Sequence, residues 1–107
     1  MAYPTGREIS EALLLFILDN GGASRQVPSD RTYTPLADLF KLTQAERTIS
    51  RDQYYGHSDG RDEPAWNNMV QYARRQLANQ HLLDRSRTGH WKPNEAGVSR
   101  ALALTRR

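Results

Sequence analysis

The chain has 107 residues, 15 Lys/Arg against 12 Asp/Glu and no cysteine, which leaves room for one domain with one small core and excludes disulfides, thiolate metal sites and cysteine nucleophiles. Hydrophobic residues make up 37% of it and mean hydropathy is −0.80, a composition that suits a small helical domain with solvated loops better than an enzyme core. No apolar run approaches the roughly 18 residues needed to span a bilayer, so the chain reads as soluble and cytoplasmic. The net charge of +3 is unevenly spread: residues 1–61 carry seven basic and eight acidic side chains, whereas from Arg74 onward there are eight basic and two acidic. A polyanionic partner would therefore meet the C-terminal third.

Thr5 followed by Glu8 fits a capping box, and Ile9, Ala12, Leu13, Phe16 and Ile17 then recur on one helical face, so a first helix is predicted over about 5–20, stopped by Gly21-Gly22. Ala23 to Asp30 reads as a loop with at most a short strand. Thr34-Pro35 opens a second helix to about residue 42, with Thr34 as its cap. Thr43 with Glu46 repeats the capping box and allows a short helix to about 49. Residues 50–63 have no period and are rich in Asp, Gly and Ser, which predicts a loop.

Pro64, behind the acidic Asp62 and Glu63, starts a third long helix over 64–80. At 100° per residue, Trp66, Met69, Val70, Ala73 and Leu77 share a narrow arc, while Asn68, Gln71, Arg75 and Asn79 lie opposite and Asn67 and Arg74 on one flank. Leu82 to Ser86 and His90 to Lys92 are strand candidates joined through Arg87-Thr88-Gly89. Asn94 caps a last helix from Glu95 to about Leu104, with Val98, Ala101 and Leu102 inward.

Helices followed by a basic hairpin predict a mainly α fold with a small β-hairpin wing, a winged helix-turn-helix spanning residues 1–107 as a single domain. The major groove of DNA admits a helix, so one held by its apolar face presents the far face to base edges. Asn and Gln pair bidentately with adenine and Arg with guanine, which makes Asn67, Asn68, Gln71, Arg74 and Arg75 the base-edge candidates. In the wing, Arg85, Arg87, Thr88, His90 and Lys92 are candidates for the flanking phosphates or the minor groove.

The segments Val70-Gln71-Tyr72-Ala73-Arg74-Arg75-Gln76-Leu77, Leu82-Leu83, Thr88-Gly89-His90-Trp91-Lys92 and Glu95-Ala96-Gly97 resemble the N-terminal winged-helix domain of Mrr-type restriction proteins, over about residues 62–100. The family pattern is a helix with an R-V-x-W-A-x-x-x-L run, then G-L, then an R-G-x-W-x-L-T-x-x-G hairpin. The first helix with its double glycine also resembles the family's opening. Here Met69 replaces an arginine, Tyr72 a tryptophan, His81 the glycine after the helix and Pro93-Asn94 a Leu-Thr pair. The resemblance implies a duplex-DNA recognition module of a restriction endonuclease, joined to a nuclease domain, that reads a modified cytosine such as 5-methylcytosine.

Other constellations are bland. His57, His81 and His90 lack the spacing of a zinc site. His57 with Asp59 and Asn67 or Asn68 lacks the strand pair of an HNH nuclease, and no carboxylate pair precedes a lysine in the nuclease pattern, so neither catalysis nor a cofactor is expected. Trp66 and Trp91 read as core, Tyr54 and Tyr55 as loop anchors. Two alternatives stay open: a winged helix used for protein contacts, which fits the modest net charge and the broad apolar face of the first helix, Leu13-Leu14-Leu15, and a small transcriptional regulator.

Overall fold

The computed structural model describes residues 3–21, 27–28, 31–56, 60, 63–87 and 90–105, with positions 21, 27, 28, 84–87, 90 and 91 described by backbone alone. These residues form a mainly helical structure in the order α1 (Gly6–Gly21), β1 (Val27–Pro28), α2 (Tyr33–Leu39), α3 (Gln44–Thr48), α4 (Arg51–Tyr55), α5 (Ala65–Asn79), β2 (Leu83–Arg87), β3 (His90–Pro93) and α6 (Glu95–Thr105). Among them no helix is long and apolar enough to cross a membrane.

Both capping boxes form. The Glu8 backbone N–H donates to Thr5 Oγ1 at 3.2 Å while the Thr5 N–H donates to Glu8 Oε1 at 2.9 Å, and Thr43 and Glu46 repeat the exchange at 3.2 and 2.7 Å. Each box satisfies two N–H groups that a helix start would otherwise leave without partners. Helix α2 begins earlier than the Thr34-Pro35 signal, with Thr32 as its cap residue and Pro35 inside the first turn, where a missing N–H costs nothing. Pro64 likewise precedes its helix as the cap residue.

The segment predicted as a loop contains α4. Ser50 caps it, its Oγ accepting from the Gln53 N–H at 3.2 Å, and Gly56 ends it at φ 72°, the left-handed conformation that a residue without Cβ adopts most easily. The base of this segment is tied: Ser50 pairs with Pro64 in an antiparallel bridge, and the Arg51 and Ala65 N–H groups donate to the Glu63 and Ile49 carbonyls at 2.8 and 2.9 Å. Two short helices therefore separate α2 from α5, and the third long helix of the sequence reading is the fifth helix of the fold.

Helices α2 and α5 end alike. The Leu42 N–H reaches back to the Ala37 carbonyl and the Lys41 N–H to Asp38; after α5, Leu82 reaches Leu77 and His81 reaches Ala78. These paired bonds are Schellman closures, and they require left-handed backbone at Lys41 (φ 55°) and His81 (φ 58°). His81 and Lys41 thus stand in the left-handed region that favours glycine. The Asn94 side-chain amide donates to the His81 carbonyl at 2.6 Å.

The core is one cluster built from Ile9, Leu13 and Ile17 of α1, Leu36 of α2 and the stripe Trp66, Val70, Ala73 and Leu77 of α5, joined by Leu83 and Ala101. The three strands form an antiparallel sheet in the order β1-β3-β2. Pro93 lies opposite Leu83 at the end of β3, so its missing N–H falls where the ladder stops. An irregularity in register separates the Asp84↔Lys92 and Arg87↔His90 pairs. The connection at Thr88-Gly89 lies outside the described residues.

Asn94 caps α6 as expected, its Oδ1 accepting from the Gly97 N–H at 2.8 Å. Leu102, expected inward, is 45% exposed. The reason is the close seat of Gly97, where a Cβ would run into the Leu82 carbonyl oxygen; that approach turns the Gly97 and Ala101 side of the helix inward and carries Leu102 outward.

Two stability predictions follow from these contacts. Gly97→Ala forces α6 off Leu82 and lowers unfolding free energy by about 1–3 kcal/mol, read as a shifted denaturant midpoint; an unchanged midpoint would contradict the close seat. The Glu8 carboxyl is held below its ordinary range by the Thr5 backbone N–H and then by the Thr5 hydroxyl. Its contribution is therefore present above the ordinary carboxylate pKa and is lost as pH falls through the lowered value. Glu8→Gln keeps a capping side chain and flattens that part of the acid limb, measured as melting temperature between about pH 5 and pH 2.

Candidate nucleic-acid interface

The apolar arc of α5 fixes what its opposite arc does. With Trp66 at 1% exposure and Val70, Ala73 and Leu77 equally enclosed, Gln71, Arg75 and Asn79 stand in solvent and Asn68 is half-buried beside them. Spacings of three and four residues bring Asn68, Gln71, Arg75 and Asn79 onto one face. Asn67 and Arg74, on the flank, are both half-buried, so they border this face rather than form its centre.

Trp66 sets the rotation of α5. Its indole Nε1 donates to the Tyr33 carbonyl at 2.8 Å, it meets the Phe40 ring edge-on at 6.2 Å between centroids, and the Tyr3 ring lies parallel to it at 6.2 Å. The indole is therefore packed as core, with its single donor satisfied.

Gln71 is held from outside the helix. Its Nε2 donates to the Tyr33 hydroxyl at 2.9 Å. One amide proton is used in that bond, and the other proton and Oε1 remain available, which is the donor and acceptor pair that an adenine edge requires. Tyr33 thus grips α5 twice, by its carbonyl at Trp66 and by its hydroxyl at Gln71.

The wing candidates are less fully described. Arg85, Arg87 and His90 lie on β2 and β3, with side chains outside the description, and Thr88 is outside the described residues altogether. Lys92 is half-buried and faces Asp84 across the ladder. His57 also lies outside the described residues. Among the described residues no three His, Asp or Glu side chains come close enough to hold a metal ion.

Two residues of this surface were not among the sequence candidates. Tyr72, 55% exposed, stands beside Asn68 and Arg75 on the open side of α5; its angular position on the helix, close to theirs, was the available signal. Tyr33 had no such signal, because 38 residues separate it from Gln71. Compared with protein-family models, curated proteins and solved structures, the chain matches none.

Removing the Tyr33 hydroxyl isolates its effect on Gln71. Tyr33→Phe leaves stability within about 1 kcal/mol, since one exposed hydrogen bond is lost, and moves the Gln71 side-chain amide resonances toward those of a solvated glutamine in a ¹⁵N–¹H spectrum. Resonances identical in both proteins would show that the bond does not form in solution.

Proposed function

We propose that this chain is a winged helix-turn-helix module that binds duplex DNA, with α5 in the major groove and the β2-β3 hairpin against the backbone. The observation that carries the reading is the outward arc of α5, where amide and guanidinium side chains stand exposed over a fully apolar inner arc. An α-helix with its side chains is about 10–12 Å across and the major groove about 12 Å wide. The sheet order β1-β3-β2, with the hairpin directly after α5, supports the reading of the hairpin as a wing, as does the +6 charge from Arg74 onward.

In this reading Gln71, oriented by Tyr33, and Arg75 contact base edges at the centre, and Asn68 contacts a base or phosphate beside them. Asn67 and Arg74 act at the margin. Arg85, Arg87, Thr88, His90 and Lys92 belong to the phosphate-contacting wing. The module has no catalysis of its own. The resemblance to Mrr-type restriction proteins, which rests on the residues quoted for it, adds a setting: a covalently linked nuclease domain and a modified cytosine as the base read.

A second reading, protein contact, draws on a different face. Leu39, 61% exposed, stands with Ala12, Leu15, Phe16 and Pro35 along a groove of about 700 Å³ between α1 and α2. It requires no affinity for nucleic acid.

Titration of matched duplexes with unmodified and 5-methylated cytosine at two salt concentrations separates these readings. Gln71→Ala and Arg75→Ala each lower affinity by about 1–3 kcal/mol and alter base preference, whereas Arg87→Ala weakens all sequences alike and reduces the salt slope by about one. Binding that is absent, or untouched by all three substitutions, would remove the assignment.

A further inference from the structure

Three exposed tyrosines, Tyr54, Tyr55 and Tyr72, border a single cleft of about 480 Å³ that is completed by Tyr3, Asn68 and Met69. Its volume falls in the range of small-ligand sites. Tyr54 meets Tyr3 at 5.1 Å between centroids and 88°, and Tyr55 at 4.9 Å and 80°, so the rings form a corner of perpendicular walls rather than a flat patch. The corner has a rigid back. Tyr3 donates its hydroxyl to the Glu46 carbonyl at 2.6 Å and lies parallel to the buried Trp66, and burial, followed by the neighbouring Tyr54, Glu46 and Tyr55, raises its phenol above the ordinary range.

The chemistry of the lining selects the occupant. Among the described residues no ionised side chain lines the cleft, which removes the arginine or lysine an anion would need and the carboxylate that would hydrogen-bond a primary ammonium, and leaves the single carboxamide as the group that distinguishes a hydrogen-bonding ring from a cation held on ring faces alone. What remains is four tyrosine rings with their hydroxyls, the apolar Pro4, Ile9 and Met69, and one carboxamide with a donor and an acceptor. That combination matches a neutral planar ring whose edge carries hydrogen-bonding groups: aromatic side chains stack on base faces and an amide pairs with a base edge. The carboxamide belongs to Asn68, one turn before Tyr72 and on the α5 surface that also exposes Gln71 and Arg75.

We propose that this cleft binds an unpaired nucleobase, stacked among Tyr55 and Tyr72 and hydrogen-bonded at its edge by Asn68. The proposal deepens the duplex-binding reading, which supplies the strand lying along α5; the affinity of the cleft for a base does not depend on that reading. A single-stranded, flipped or bulged nucleotide is the form of substrate it accepts.

The test compares a labelled thymidine pentanucleotide with an abasic pentanucleotide of equal phosphate count, by fluorescence anisotropy on the whole chain. The base-bearing strand binds about tenfold tighter, the range expected for one stacked base. Tyr55→Ala and Tyr72→Ala abolish that ratio, Tyr72→Phe preserves it because the ring face remains, and Asn68→Ala reduces it. Arg75→Ala weakens both strands equally. Circular dichroism melting identifies any variant that fails to fold, and Tyr72→Phe then carries the comparison. Equal binding of the two strands by the wild-type chain overturns the proposal, as does displacement of thymidine by free decaproline at lower concentration than by a second thymidine pentamer, since that assigns the cleft to a proline-rich peptide. A fully paired duplex run alongside separates the readings: loss of duplex binding with the tenfold ratio intact counts against the major-groove assignment and supports the cleft.

Discussion

The indole of Trp66 joins three parts of the molecule at once. It hydrogen-bonds the Tyr33 carbonyl at the start of α2, contacts the Phe40 ring near the end of α2, and backs the Tyr3 ring before α1. Because it lies near the first turn of α5, those contacts set the rotation of the helix about its own axis, and the buried residues Val70, Ala73 and Leu77 propagate that rotation along its length. An apolar stripe pressed against α1 leaves one arc for solvent, and the residues on that arc are amides, an arginine and a tyrosine. Any binding role of α5 is therefore a consequence of how its opposite side packs.

The surface of α5 divides by chemistry. Gln71 and Arg75 can form bidentate contacts with flat, edge-on partners, and Tyr33 limits the rotation of one of them. Asn68 and Tyr72 form the rim of the tyrosine cleft. In the two proposed readings a single helix contributes to two recognition chemistries, hydrogen bonding to edges and stacking on faces. The β2-β3 hairpin follows after a three-residue passage through Gln80, His81 and Leu82, in which the backbone of His81 and Leu82 is fixed by the Schellman closure and by Asn94. The geometry between α5 and the hairpin is consequently set by hydrogen bonds on both sides of the junction.

What the sequence made legible was local. Both capping boxes, the apolar stripe of α5, the Asn94 cap and the two paired strands β2 and β3 depend on residues within a few positions of one another, and each is present. The features that escaped are non-local or marginal. Helix α4 has five residues, too few for periodicity to register, and it is supported by α5 rather than by its own propensity. Leu102 faces outward because of the contact between Gly97 and Leu82, which no helical wheel contains. The same holds for the Tyr33–Gln71 bond and for the cleft, whose tyrosines come from three separate parts of the chain. His81 stands in a left-handed conformation that its side chain gave no reason to expect.

The bridge between Ser50 and Pro64, with the flanking bonds at Arg51 and Ala65, has an evolutionary corollary. It pins both feet of the excursion that follows α3, so the approach to α5 is defined independently of how much polypeptide lies between them. Closing a longer excursion costs little, because the entropy rises only with the logarithm of its length. Polypeptide can thus be added or trimmed between these two pinned feet while α5 keeps its orientation.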